Sequence, residues 1–257
     1  MHMKWITTTL IAILFINLTM LSVKAEDGHE LWLPKRKAAP VKVISAKKSP
    51  ILDIAIQELK AGWNGKPGAT IVLSLKSEAA LKDDGFALSN TEIRSNSELG
   101  ILYGAYELLR RQATGQQTGS IRSNPSYMHR ILNHWDNLNG SVERGYAGKS
   151  IFWRDEKDSL SVTAKDKVLW TEYARANASI GINGTVLNNV NASPAILNAK
   201  YLSKVKAIAE VLRPYGLKTY LSVNFSSPMR IGGLKTADPL NPEVKQWWIE
   251  KVRKSTS

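Results

Sequence analysis

The amino-acid sequence predicts an α/β protein in two parts: a small α/β domain over residues 26–124, then three successive strand–helix units of a parallel sheet over residues 125–257. Three observations predict it. Short β-rich runs and amphipathic helices are mixed between Leu31 and about Gln112. The polar stretch Ala113 to Asn124, rich in Gly, Gln, Thr and Ser, reads as a linker that closes this first part. After Pro125 strand and helix patterns alternate three times, and such units in series form a parallel sheet with right-handed crossovers.

Residues 1–25 precede both parts and read as a cleaved export signal. Lys4 supplies the positive charge, Ile6 to Val23 is almost wholly apolar or hydroxylic, and Val23-Lys24-Ala25 offers short residues for cleavage after Ala25. A retained membrane anchor is the competing reading, since a run of ~18 apolar residues can just cross a bilayer. Thr7, Thr8, Thr9 and Asn17 interrupt the run and weigh against it. The chain contains no cysteine, so an exported form has no disulfide and no lipid-modified cysteine, and its stability comes from buried apolar surface.

In the first part, Val41 to Ser45 and Thr70 to Leu75 are the β-rich runs, while Ile51 to Ala61 sets Leu52, Ala55, Ile56 and Leu59 on one helical face. Gly62, Asn64-Gly65 and Pro67-Gly68 punctuate the turn that follows. A second helix from Glu98 to Gln112 carries Leu99, Leu102, Tyr106 and Leu109 on its stripe. In the second part Tyr127 to Trp135 is a strand, Lys165 to Ser179 a helix with Leu169, Tyr173 and Ala176 turned inward, and Gly184 to Leu187 the next strand. Pro194 to Arg213 is one periodic helix with Leu197, Tyr201, Val205, Ile208 and Leu212 on its stripe, stopped by Pro214 and Gly216. Leu217 to Val223 is the third strand, and Asn241-Pro242-Glu243 supplies the cap, first-turn proline and first-turn acid of a third helix. Periodicity leaves open whether this sheet stays open or closes into a barrel. An eight-unit barrel needs roughly 250 residues. About half that length follows Pro125, so on that reading the chain stops three-eighths of the way round, at a helix that ends Ser255-Thr256-Ser257 without a cap.

The formal net charge is +13 at pH 7, and two units of it belong to Lys4 and Lys24 of the signal. It favours acidic partners, whether nucleic acid, anionic lipid or acidic polysaccharide. Clusters such as Lys35-Arg36-Lys37 and Lys47-Lys48 are scattered and read as solvated loops. No basic face with interleaved aromatics marks a nucleic-acid interface, and no membrane contact is expected once the signal is cleaved. The histidines His2, His29, His129 and His134 are dispersed and thiols are absent, so no metal site is expected. The sequons at Asn139, Asn177, Asn183, Asn191 and Asn224 read as ordinary polar residues.

In parallel α/β folds ligands bind at the carboxyl ends of the strands. Here each strand runs into a polar or aromatic cluster: Asn133-His134-Trp135-Asp136-Asn137, then Asn188-Asn189-Val190-Asn191, then Asn224-Phe225-Ser226-Ser227. Asn and Asp offer donors and acceptors in fixed planes to vicinal hydroxyls, and Trp offers a flat apolar face to the C–H surface of a pyranose. The same residues are common after strands as turn formers, so each taken singly has a plainer explanation. His134 reads as hydrogen-bonded support rather than a base. Trp153, after Ser150-Ile151-Phe152 and beside Arg144-Gly145-Tyr146 and Arg154-Asp155, is either a rim over the site or part of a local core. Glycosidic hydrolysis needs two carboxyl groups flanking the bond. Asp136 is the one carboxylate immediately at a strand end, with Glu143 and Asp155 further along the loop, so the residues alone describe a sugar-binding α/β domain without a complete catalytic pair.

Longer runs are more specific. RILNHWDNLNGSVERGYAG from Arg130 to Gly148, followed by Ser150-Ile151-Phe152-Trp153, resembles the start of the catalytic domain in α-glucuronidases of glycoside hydrolase family 67. So do YARANASIGING from Tyr173 to Gly184, VLNNVN from Val186 to Asn191 and GGLKTADP from Gly232 to Pro239. LYGAYELLR from Leu102 to Arg110 is similar to the helix that ends the family's small domain, and the resemblance covers essentially the whole chain after the signal.

The resemblance implies an α/β N-terminal domain followed by the first three units of a TIM (β/α)8 barrel, truncated here, with an all-helical region beyond. It implies removal of α-1,2-linked glucuronic acid or its 4-O-methyl ether from xylo-oligosaccharides derived from glucuronoxylan, with inversion and without metal or organic cofactor. It also implies export to the periplasm or outside the cell, and allows a homodimer in full-length members. Asn133, Trp135, Asp136, Trp153, Asn188, Asn189, Val190 and Asn191 are the residues expected at the substrate, with Trp135 and Asn188 to Asn191 lining the uronic acid pocket and Val190 an apolar wall. The general acid after the fourth strand, the later carboxylates and most basic residues that grip the uronate are expected beyond residue 257. No catalytic residue is therefore expected within this chain, which by itself is expected to be inactive. The alternatives are a non-catalytic remnant that holds a uronic acid or oligosaccharide, and a fragment that does not fold because an open barrel exposes unpaired edges of strands one and three and the apolar faces meant for later helices.

Overall fold

A computed structural model of the protein describes residues 32–33, 38–82, 84–154, 160–191 and 193–256. The expected export signal and Asp155 lie outside the described residues. The chain divides into two compact units, Met1–Pro34 and Lys35–Ser257. In the first, Leu33 is buried. The elements below belong to the second.

The first sheet has the order β1-β2-β4-β3-β5, built from β1 (Val41–Ser45), β2 (Ala69–Leu75), β3 (Phe86–Leu88), β4 (Glu92–Ser95) and β5 (Ile121–Ser123). β1, β2 and β4 run parallel, whereas β3 pairs antiparallel with β4 and β5. Helix α1 (Pro50–Gly62) starts where its cap dictates: the Ser49 hydroxyl accepts from the Leu52 N–H at 3.2 Å and Pro50 opens the first turn. Its inward face carries Leu52, Ala55 and Leu59. Helix α2 (Glu98–Ala113) is capped by Ser97, which accepts from the Gly100 N–H at 3.1 Å. Gly100 lets α2 lie against the sheet, because a Cβ there would sit 2.0 Å from Ser95 Oγ. Two features differ from expectation. β3 is buried at every position, so the alternation that marks a half-exposed strand is missing. Within the stretch read as a linker, Ile121–Ser123 adds a strand by pairing Ile121 with Leu88.

The second sheet is parallel, in the order β6-β7-β8, from β6 (Ile131–Asn133), β7 (Gly184–Val186) and β8 (Lys218–Tyr220). Helices α3 (Ala164–Ser179), α4 (Ala199–Leu212), α5 (Ser227–Arg230) and α6 (Pro242–Thr256) connect or follow these strands. The repeated strand–helix order is as expected, although the strands are shorter than the runs read for them. Helix α3 has a full capping box between Thr163 and Asp166. It buries Trp170, Ala174, Asn177 and Ala178, one position round from the stripe read from Leu169, Tyr173 and Ala176, and Leu169 is exposed. The larger Trp170 takes the inward place and donates its indole N–H to the Ile151 carbonyl at 2.8 Å. Pro194 to Arg213 is not one helix. Pro194–Leu197 is a 3-10 turn, Asn198 is extended with ψ 149, and α4 begins after it. Asn241 caps α6, its side-chain oxygen accepting from the Glu243 N–H at 2.8 Å.

The two sheets are joined by polar ties. Glu58 on α1, 8% exposed, receives both Nε and Nη2 of Arg175 on α3, at 2.6 and 2.9 Å. The Tyr103 hydroxyl of α2 donates to the Ile182 carbonyl at 3.3 Å. At the starts of β6 and β7, one Asp84 oxygen accepts from Arg130 at 2.8 Å and from Asn183 at 3.3 Å. Burial pushes the Tyr103 and Tyr106 hydroxyls well above the ordinary phenol range. Among the described residues no helix is long and apolar enough to cross a membrane.

Candidate functional site

β6, β7 and β8 release their loops at a shared end, and a cavity of about 230 Å³ opens there. Asp136, Asn137 and Leu138 line it after β6; Asn188, Asn189, Asn191, Ser193 and Pro194 after β7; Asn224 and Arg230 after β8.

The first loop is folded on itself by the bridges Asp136 to Val142 and Ser141 to Lys149. Ser150 fixes its carboxylate. The Ser150 oxygen accepts the N–H groups of Phe152 at 3.0 Å and Trp153 at 2.9 Å, which turns its own proton onto Asp136 Oδ2 in a short hydrogen bond. Asp136 is 3% exposed and is thereby held as an acceptor. Its Oδ1 lies 3.7 Å from His134 Nδ1. His134 Nε2 in turn meets the Tyr173 hydroxyl at 2.8 Å, and that hydroxyl meets Thr185 Oγ1 at 2.9 Å. Burial pushes the Tyr173 hydroxyl up to about 12, with the Thr185 hydrogen bond opposing the rise and Asp136 adding to it. Tyr173 therefore stays protonated at neutral pH, and His134 is the hydrogen-bonded support its sequence context indicates.

The second loop ties the other two together. Asn188, 2% exposed, donates to the Ser222 carbonyl and accepts the Ser222 N–H, both at 3.0 Å. Asn189 donates its backbone N–H to the Asp136 carbonyl at 2.8 Å and its side-chain amide to Asn137 at 3.2 Å, and its Oδ1 accepts the Asn191 N–H at 2.9 Å. The amides of this loop that line the cavity are thus already hydrogen-bonded, Asn189 to Asn137 and Asn188 to the backbone of Ser222. In the third loop Asn224 Oδ1 accepts from the Ser226 N–H at 2.9 Å and from its hydroxyl at 2.6 Å. Helix α5 follows and carries Arg230 to the cavity wall. Among the described residues no carboxylate pairs with the Arg230 guanidinium.

Of the residues expected at a ligand, Asp136, Asn188, Asn189 and Asn191 line the cavity. Asn133 is exposed at the end of β6, while Trp135 and Val190, 39% and 44% exposed, adjoin cavity residues without lining the cavity. Trp153, for which the sequence left a rim and a local core open, is away from the cavity wall. It is 1% exposed, donates its indole N–H to the Leu187 carbonyl at 2.8 Å and packs edge-on to Tyr201, so it belongs to the local core and not to a rim. Asn137 and Asn224 sit in the clusters the sequence marks at strand ends. Arg230 carries no such mark, because it lies six residues past Asn224 and reaches the cavity through a one-turn helix. Chemically the site offers amides, one carboxylate held as an acceptor and one cation, a set suited to a polyhydroxylated anion. Among the described lining residues Asp136 is the one carboxylate, and no cluster of three or more His, Asp or Glu side chains that could hold a metal occurs among the described residues.

Comparison with known proteins bears on these features. Residues 109–256 match the family model described as the glycosyl hydrolase family 67 middle domain. The chain is 36% identical over 275 residues to "Alpha-glucuronidase A" of Aspergillus tubingensis, covering 91% of this chain and 32% of that protein. It is 42% identical over 286 residues to "Alpha-glucuronidase A" of Emericella nidulans, covering 92% and 33%. The chain therefore spans about a third of the length of the curated relatives it matches. Among solved structures, a "GH138 enzyme targeting pectin rhamnogalacturonan II" is similar in fold with a TM-score of 0.54 at 14% identity, over 83% of this chain and 36% of that one.

Proposed function

The chain belongs to glycosyl hydrolase family 67, and on that premise we propose that it is part of an α-glucuronidase that removes glucuronic acid or its 4-O-methyl ether from xylo-oligosaccharides. In this reading the parallel strands β6, β7 and β8 with their helices are the first three units of a (β/α)8 barrel. The cavity at their carboxyl ends receives the uronic acid.

The observation that carries the reading is Arg230. A guanidinium without a carboxylate partner among the described residues stands in a wall of amides. A uronic acid differs from a neutral pyranose by one carboxylate, and a charge-assisted hydrogen bond to Arg is the strong way to read that difference. Asp136, which accepts from Ser150, is placed to accept from a sugar hydroxyl as well.

The reaction is a separate matter from binding. Inverting hydrolysis needs an acid and a base on opposite sides of the bond, and the cavity wall described offers Asp136 alone. That single carboxylate favours a second reading for the 257-residue chain taken by itself: it holds a uronic acid without cleaving the glycosidic bond.

Calorimetric titration of the purified chain, with product detection in the same samples, tests both. Glucuronic acid is expected to bind in preference to xylose, and Arg230→Met to weaken its binding by about tenfold or more. Equal affinity for the two sugars would remove the basis of the proposal. Stoichiometric release of glucuronic acid from aldotetraouronic acid would overturn the non-catalytic reading.

A further inference from the structure

The three loops at the mouth repeat one arrangement. Each lines the cavity mainly with polar residues, Leu138 and Pro194 being the exceptions, and leaves an apolar neighbour outside it: Trp135 before Asp136, Val190 between Asn189 and Asn191, Phe225 after Asn224. Phe225 is the extreme case, 80% exposed against 39% for Trp135 and 44% for Val190.

Its turn is rigidly built. Besides the two bonds that Asn224 Oδ1 accepts, the Asn224 carbonyl accepts the Ser227 N–H at 2.9 Å and the Ser227 hydroxyl at 2.5 Å. Ser227 is fully buried and starts α5, which returns the chain to the cavity at Arg230. A phenyl ring is therefore held in water on a fixed turn, with cavity-lining residues on both sides of it in sequence. Such a ring offers apolar surface for a ligand to cover while the loop loses little freedom on binding. Its sequence neighbours Asn224 and Ser226 are polar, and Met229, 47% exposed, is the one other exposed large apolar side chain on this segment, so the apolar surface is small and set among polar groups. The mixture suits a pyranose, which presents a C–H face to an aromatic ring and hydroxyls to amides.

We propose that Phe225 is a stacking platform for the sugar ring next to the uronic acid, so that the site selects an acidic oligosaccharide over the free acid. This rests on the reading of the cavity as a uronate site. β6 and β8 are separated by β7, which puts the ends of the outer strands ~10 Å apart, room for a ligand longer than one ring.

The test is the ratio of affinities for aldotetraouronic acid and glucuronic acid, measured calorimetrically on the same preparation of the 257-residue chain. The unsubstituted chain binds the oligosaccharide more tightly. Phe225→Ala lowers the ratio by about threefold to tenfold, whereas Phe225→Tyr keeps it. Thermal unfolding accompanies each variant, and an unchanged midpoint is expected because the ring is exposed. A ratio unmoved by Phe225→Ala overturns the proposal, as does an unsubstituted chain that binds both ligands equally while still preferring glucuronic acid to xylose. An unsubstituted chain that binds neither ligand removes the uronate reading along with it.

Discussion

The five-stranded sheet and the three-stranded sheet both set parallel strands against helices, yet they hide their residues to different degrees. Around the first, α2 alone buries Ile101, Leu102, Ala105, Tyr106, Leu108 and Leu109, and β3 is covered at every position. Around the second, Leu132 on β6 is 37% exposed, Val168 and Leu169 on α3 face solvent, and so do Ile249 and Val252 on α6. Among the described strands β6 and β8 each pair with β7 alone. Among the described residues the second sheet thus leaves apolar side chains exposed beside strand edges that no described strand pairs. The first sheet is arranged around its own core, while the second is arranged around a polar mouth.

The largest effect is expected at Trp153, in the local core of the second sheet's loops. Trp153→Ala is expected to cost about 3–5 kcal/mol, seen as a lower midpoint in urea denaturation. If stability held and sugar binding alone fell, Trp153 would be a ligand contact after all and the second sheet would have less of a core than its burial indicates. Next comes the tie between the regions. Glu58→Gln leaves Arg175 facing a neutral amide in a half-buried junction and is expected to cost on the order of 3 kcal/mol. A loss below about 1 kcal/mol in the same assay would mean that the regions are held together by apolar packing instead.

The smallest effect is a loss of stability that emerges only in alkali. Tyr173 ionises near 12 when folded and near 10 when unfolded, so the folded chain keeps a proton that the unfolded chain releases. The corresponding stability is fully present below pH 10 and is lost as pH rises through about 12. Tyr103, Tyr106 and Tyr215 are shifted the same way by burial and add to the trend. A phenolate absorbance titration should show one fewer late-ionising hydroxyl in Tyr173→Phe than in the unsubstituted chain, and an equal number in the two would mean that Tyr173 ionises in the ordinary range.

Much of the fold is legible where a single physical signal suffices. Ser49-Pro50 and Asn241-Pro242 start helices because a side-chain acceptor and a proline each satisfy a first-turn requirement. The signal fails where tertiary contacts decide. Phe86–Leu88 is too short and too uniformly buried to show a period, and Ile121–Ser123 is a strand only because β3 offers it an edge. In α3 the size of Trp170, not the spacing of Leu169, sets the inward face. The site divides similarly. Asp136, Asn188, Asn189 and Asn191 follow strands directly and can be found from the sequence, whereas Arg230 reaches the cavity through the path of a later turn. Trp153 is misleading because an aromatic residue in a loop looks the same in sequence whether it faces solvent or the core.

Asp84 sits at the opposite end of β6 and β7 from the cavity, where Arg130 and Asn183 both converge on one of its oxygens. Each of these strands is three residues long, ~10 Å from foot to tip. A single carboxylate thus serves as the common datum for two walls of the mouth, and altering it would misalign Asp136 against Asn188 from the far side of the molecule.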